Sequence, residues 1–128
     1  MRTTTDLIHH AHTHGITIIW ALDLPERGRW IDGARVIALR HGMTERRTVS
    51  TLAHELAHAH HGDVCSTPSA EARAWQWAAR LLIDDDAYAH AEALHPSAGA
   101  IAVELGVTTD VITAYQHTLR TSTCHAAQ

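Results

Sequence analysis

The sequence predicts an α+β fold. An N-terminal helix leads into a small, mostly antiparallel three-stranded sheet. A central helix then packs on a second helix, and a helical bundle closes the C-terminal end. Three observations carry this reading. The β-branched and aromatic runs that read as strands lie in residues 16–39. Helical spacing of apolar residues takes over from about residue 44. One amphipathic stretch, Thr51-Leu-Ala-His54-Glu55-Leu-Ala-His58-Ala-His60-His61-Gly62, sets imidazoles and a carboxylate away from its apolar stripe.

Taken in order, Thr4 or Thr5 can cap a first helix that runs to about His14, with Gly15 as its stop. Leu7, Ile8 and Ala11 form its inward face, and His9, His10, His12 and His14 are expected in solvent. Residues 16–22 read as a strand, and residues 25–28 as a turn or loop. Residues 29–31 and 35–39 flank Asp32-Gly33 and read as a hairpin, because Asp-Gly suits a two-residue type I′ turn with positive φ at both positions. Thr44 can cap the central helix and Gly62 can end it. Val49, Leu52, Ala53, Leu56 and Ala57 form its apolar stripe. Pro68 suits a first helical position, and residues 69–83 continue that helix. Asp84-Asp85-Asp86 breaks or recaps it, residues 87–94 form another helix, and His95-Pro96 ends that one. Residues 97–119 read as helix, turn and helix, and residues 121–128 as a polar, frayed tail. Phe is absent, so Trp20, Trp30, Trp75 and Trp77 are expected as core anchors.

Composition narrows the function classes. A length of 128 residues suggests one domain, 1–128, with the helix-turn-helix-like segment 97–119 inside it. The chain is 45% hydrophobic and 19% charged with a net charge of −4. That balance and the lack of a basic block argue against a nucleic-acid footprint. No apolar run approaches the roughly 20 residues of a membrane span, and the N-terminus lacks the pattern of a signal peptide. Cys65 and Cys124 do not make a disulfide framework, so a cytoplasmic protein with reduced thiols is expected.

The chemistry centres on H-E-x-x-H. On a helix of about 3.6 residues per turn, His54 and His58 sit one turn apart on one face and can reach one metal. Glu55 follows about 100° round, within reach of a water on that metal. In a chain with 13 histidines a chance match has a probability of about 6%, so the helical context decides. A catalytic zinc usually takes three protein ligands and a water. His61 shares the face but lies about 10 Å along the axis from His54, too far for a straight helix. The long zinc-protease pattern also fails, because His61 and Val64 stand where it needs Gly and His. His60 points toward the apolar stripe and is expected as an inner histidine.

The third ligand is expected from the next helix. Glu71 begins the stripe Glu71, Ala74, Trp75, Ala78, Leu82, which should face the metal helix at about the height of His58. Asp63 and Cys65 are the other candidates. The expected chemistry is peptide hydrolysis at zinc held by His54, His58 and Glu71, with Glu55 moving the proton from water to the leaving amine. Manganese or iron would also accept two imidazoles and a carboxylate. Tyr88, Tyr115, His60 and His61 are candidates for the oxyanion donor. The strand at residues 35–39 directly precedes the metal helix. As a sheet edge beside the cleft it would pair with an extended peptide.

The His54-Glu-Leu-Ala-His58 helix, Glu71 and the run Ala74-Trp75-Gln76-Trp77-Ala78-Ala79-Arg80-Leu81-Leu82 together resemble an ImmA/IrrE-type metallopeptidase. Trp77 stands where that family has Phe, and Ile83-Asp84 where it has Met-Pro. The resemblance spans about residues 7–119. It implies a cytoplasmic zinc protease of a phage or mobile element that cleaves a helix-turn-helix repressor. It implies His54, His58 and Glu71 as zinc ligands and Glu55 as acid/base.

Residues 100–112 themselves read like a helix-turn-helix, but no Lys or Arg lies between Thr108 and Leu119. A DNA reader needs basic residues there, so the segment is expected to close the peptidase core and direct nucleic-acid binding is not expected. Two alternatives stand beside the peptidase: a non-catalytic antirepressor that sequesters a partner protein, and a DNA-binding regulator using the C-terminal segment.

Overall fold

The computed structural model describes residues 1–126, with side chains described through Thr121. Six helices and three strands follow in the order α1 (Thr4–Thr13), β1 (Thr17–Ala21), β2 (Gly28–Ile31), β3 (Val36–Arg40), α2 (Glu45–His61), α3 (Pro68–Leu82), α4 (Asp85–Leu94), α5 (Ala98–Leu105) and α6 (Thr109–Ala126). The architecture is α+β, as the sequence predicts.

The helix boundaries follow capping chemistry. Thr3, one residue before the expected cap, closes a capping box with Asp6 at the start of α1. Thr44 accepts from the Arg47 N–H at the start of α2. Gly62 ends α2 in the left-handed conformation at φ 68°, which a Cβ would disfavour. Thr67 caps α3 and Pro68 occupies its first turn. Asp84 recaps the chain into α4, and Ser97 caps α5. The expected tail departs from observation, because α6 continues through Ala126. Only positions 127 and 128 of that tail lie outside the described residues.

The sheet is mixed. Its order is β1-β3-β2, with β1 parallel to β3 and β2 antiparallel to it. Two expectations are corrected here. The turn between β2 and β3 is a single 3₁₀ turn at Asp32–Ala34, and the left-handed residue is Arg35 at φ 55°. The register pairs Ile31 with Val36, so four residues connect the strands and no two-residue type I′ turn forms. The second correction concerns β3, which holds the centre of the sheet and not its edge. Both of its edges are already paired, so it has no free ladder to offer a peptide. Its burial agrees with this: Ile37, Ala38 and Leu39 are all buried.

Two apolar clusters organise the chain. One joins Leu7, Ala11 and Ile16 with Ile37 and Leu39 of β3, Val49, Leu52, Ala53 and Leu56 of α2, and Ala78 of α3. Trp30 and Trp77 pack against it. The other joins α3 through α6 around Tyr88, Ile101, Val111, Ile112 and Tyr115, with Trp75 against its side. Trp20 is the exception among the tryptophans: it sits on the edge strand β1 and is 48% exposed, so it anchors no core. The helix-turn-helix-like segment is tied into the body. Thr108 N–H donates to Ser50 Oγ of α2 at 3.0 Å, and Arg46 donates to the Val107 carbonyl at 3.1 Å. Among the described residues no helix is long and apolar enough to cross a membrane.

Candidate metal centre

Helix α2 is the floor of the site. Its apolar stripe is fully buried, as expected, and its opposite side turns His54, Glu55 and His58 toward a cleft. One wall of that cleft is β2 with the chain leading into it, from Glu26 to Trp30. The other wall is the α2–α3 connection, from Asp63 to Ser66, together with Glu71 and Trp75. The space is about 500 Å³ and open to solvent, room for a few residues of an extended chain.

The imidazoles present their outer nitrogens to one carboxylate. His54 Nε2 lies 2.8 Å from Glu71 Oε2, and His58 Nε2 lies 3.0 Å from Glu71 Oε1. One donor atom each from His54, His58 and Glu71 falls within 4.8 Å of the other two. Two neutral-capable imidazoles and a carboxylate are the donor set of a borderline divalent cation such as zinc, and the spacing fits one ion. The fold thus brings together the three residues expected as ligands, His54, His58 and Glu71. Asp63 and Cys65, the other candidates for third ligand, do not join the group. Asp63 faces the opposite ring nitrogen of His58, with Oδ2 2.9 Å from Nδ1, and Cys65 is exposed in the connection.

Each of these side chains is held. Trp75, on the stripe that also carries Glu71, stacks on His54 with ring centroids 4.2 Å apart and planes 20° apart. Ser66 Oγ donates to Glu71 Oε1 at 3.0 Å. Glu55 is 6% exposed, and its Oε1 lies 3.4 Å from His54 Nδ1. Burial works to lower the His54 pKa, but hydrogen bonds and charge from Glu55 and Glu71 outweigh it and hold the imidazole above its usual 6.5. Burial works to raise the Glu71 pKa, but the charge of His54 and the Ser66 hydrogen bond outweigh it and hold the carboxyl below its usual 4.5. A cation at this triad would compete with a proton for the imidazole lone pairs.

None of the four candidate oxyanion donors lines the cleft. Tyr88 and Tyr115 are buried in the C-terminal cluster, where their hydroxyls donate to Glu92 and Asp85. His60 is exposed and stacks on Trp77 with centroids 5.1 Å apart, so it is no inner histidine. His61 lies beside it, at 5.2 Å. What sequence reasoning missed is the wall built by Gly28. A Cβ there would stand 2.7 Å from Thr51 Cγ2 and 3.1 Å from Glu55 Cγ. Strand β2 therefore rests directly on the stem of Glu55. Gly28 opens β2 between Arg27 and Arg29 and reads in the sequence as the end of a turn, so no local pattern marks this close approach.

The model of the Peptidase_M78 family, described as the IrrE N-terminal-like domain, matches residues 11–114, and the chain belongs to that family. No curated protein and no solved structure matches the chain. Family membership suggests a metallopeptidase, and His54, His58 and Glu71 supply the residues that could bind its metal.

Proposed function

We propose that the protein is a zinc-dependent endopeptidase in which His54, His58 and Glu71 hold one zinc ion and Glu55 is the general base. The observation that carries this is the convergence of both Nε2 atoms on the Glu71 carboxylate, beside a nearly buried Glu55 at the foot of an open cleft. Zinc, when bound, supplies a lowered pKa to its water, toward about 7, and polarises the scissile carbonyl. Glu55 takes the proton of the attacking water and passes it to the leaving amine. Glu71 and the two imidazoles hold their donor atoms through Ser66, Trp75 and Asp63, so little reorganisation precedes the reaction.

The substrate enters as an extended chain. Strand β2 pairs with β3 on one side only, and its other side borders the cleft. An added peptide strand would satisfy that open ladder and lie over Glu55 and the triad. The role assigned from sequence to residues 35–39 thus passes to β2. The resemblance to ImmA/IrrE peptidases supports a helix-turn-helix repressor of a phage or mobile element as the substrate, cleaved in the cytoplasm. No DNA contact is expected from the C-terminal segment, because no Lys or Arg lies between Thr108 and Leu119 to meet a phosphate backbone.

Glu55→Gln tests the reading. It keeps the shape of the side chain and removes the base. The variant is expected to fold, to bind one equivalent of zinc, and to lose cleavage of a repressor encoded beside the protein. Cleavage by the variant at the native rate contradicts the assignment of the base. Derepression by the variant without any proteolysis would instead support the antirepressor.

A further inference from the structure

We infer that Asp63 is a positioning residue for the metal centre, held in place by Arg73, and that it fixes which nitrogen His58 offers to the ion. The inference rests on the metal reading above and concerns a residue outside the ligand triad.

Asp63 is tied to His58 twice. Gly62 turns the chain in the left-handed conformation directly after α2, and the Asp63 N–H then donates to the His58 carbonyl at 3.0 Å. The same turn aims the Asp63 carboxylate back at the ring, with Oδ2 2.9 Å from Nδ1. Its second oxygen accepts from Arg73 Nη2 at 2.9 Å. The carboxylate is therefore gripped at both ends, one by the metal helix and one by α3. The Asp63 and His58 side chains are only 12% and 10% exposed, so water competes weakly for this bond.

The chemical consequence concerns the tautomer. A neutral imidazole carries one proton, and a carboxylate at Nδ1 accepts a hydrogen bond only if that proton sits there. Nε2 is then left with its lone pair, and Nε2 is the atom that faces Glu71 at 3.0 Å. The bond also restrains rotation of the ring. His54 has no comparable carboxylate: its Nδ1 approaches Glu55 at 3.4 Å, and its ring is held by stacking on Trp75. The two imidazoles are thus oriented by different means, and Arg73 couples one of them to the helix that supplies Glu71.

The test measures the zinc dissociation constant by competition with a chromophoric chelator, alongside the thermal midpoint of the metal-free protein. Asp63→Ala is expected to weaken zinc by about 10–100-fold. Asp63→Asn keeps an acceptor oxygen and is expected to fall between Asp63→Ala and the native protein. Arg73→Gln leaves the carboxylate in place but loosens it and is expected to weaken zinc by several-fold, with an altered cobalt(II) absorption spectrum. A residue that merely stabilised the fold would lower the metal-free midpoint and leave zinc affinity and the cobalt spectrum unchanged, and that result overturns the inference. If Asp63→Ala does not fold, native affinity in both Asp63→Asn and Arg73→Gln overturns it equally. Failure of the native protein itself to bind zinc sinks the metal reading, and the inference with it.

Discussion

Gly28→Ala adds one methyl group at the place where the edge strand β2 rests on helix α2. The new Cβ would lie 2.7 Å from Thr51 Cγ2, 3.1 Å from Glu55 Cγ and 3.3 Å from Leu39 Cδ2. Carbon atoms settle at about 3.5–4.0 Å, so the overlap with Thr51 is about 1 Å. Thr51 is 6% exposed and β-branched on a helix, and Leu39 is 0% exposed, so neither moves aside without cost. Either β2 lifts from α2 or the Glu55 stem yields. Overpacking of this kind costs about 1–3 kcal/mol, which lowers Tm by roughly 4–12 °C for a chain of this size. A base displaced by as much as about 1 Å costs about 100-fold in kcat/KM, and a smaller displacement correspondingly less. Zinc affinity should hardly change, because the ligand atoms of His54, His58 and Glu71 face the other wall of the cleft. The assay pairs cleavage of a fluorogenic peptide with thermal melting and a zinc titration. The double variant with Thr51→Ser, which removes Cγ2, should recover much of the lost activity. Native kcat/KM and native Tm in Gly28→Ala would refute the argument that this contact positions Glu55.

Further predictions concern the proton on His54 and the joint between the two apolar clusters. The His54 pKa is raised in the metal-free protein. Its ion-paired contribution is therefore fully present below about pH 6.5 and lost as pH rises through the folded-state value. Against a His54→Gln variant, the native metal-free protein should hold its largest stability advantage below about pH 6.5 and lose it progressively as pH rises above that in urea titrations. An advantage that grows with pH contradicts the shift. With zinc present the trend should reverse, since the ion must displace that proton. Ser50 is 0% exposed and its Oγ accepts from the Thr108 N–H. Ser50→Ala leaves that donor without a partner and should cost about 1–3 kcal/mol in urea denaturation. A change below about 0.3 kcal/mol would show that water replaces the hydroxyl.

Much of this centre is legible in sequence because it is local. His54, Glu55 and His58 are placed by one helix whose caps, Thr44 and Gly62, and whose stripe, Val49 to Ala57, are all written within 19 residues. Glu71 is legible because helical spacing links it to Ala74 and Ala78, which must turn toward α2 to be buried. Pairing between strands is not local. β1 is as apolar by composition as β3, with four residues of five in each, yet it lies at an edge, with Ile19 44% and Trp20 48% exposed. The continuous run Val36-Ile37-Ala38-Leu39 marks β3 as covered on both faces, a signal that outweighs its nearness to α2 in sequence. Asp32-Gly33 suggests a tight turn, but the four-residue connection moves the positive φ to Arg35, whose guanidinium lies over Trp30 at 5.5 Å. Asp63 depends on a turn after a helix and on an arginine ten residues further on, and neither spacing has a periodicity to reveal it.

The metal content of the purified protein tests the central claim most directly. Native protein dialysed free of loose ions and titrated with zinc should take up one ion per chain, and His58→Ala and Glu71→Ala should each lose it while remaining folded. One tightly held ion in the native protein that persists undiminished in both variants, or no ion held at all, contradicts the account.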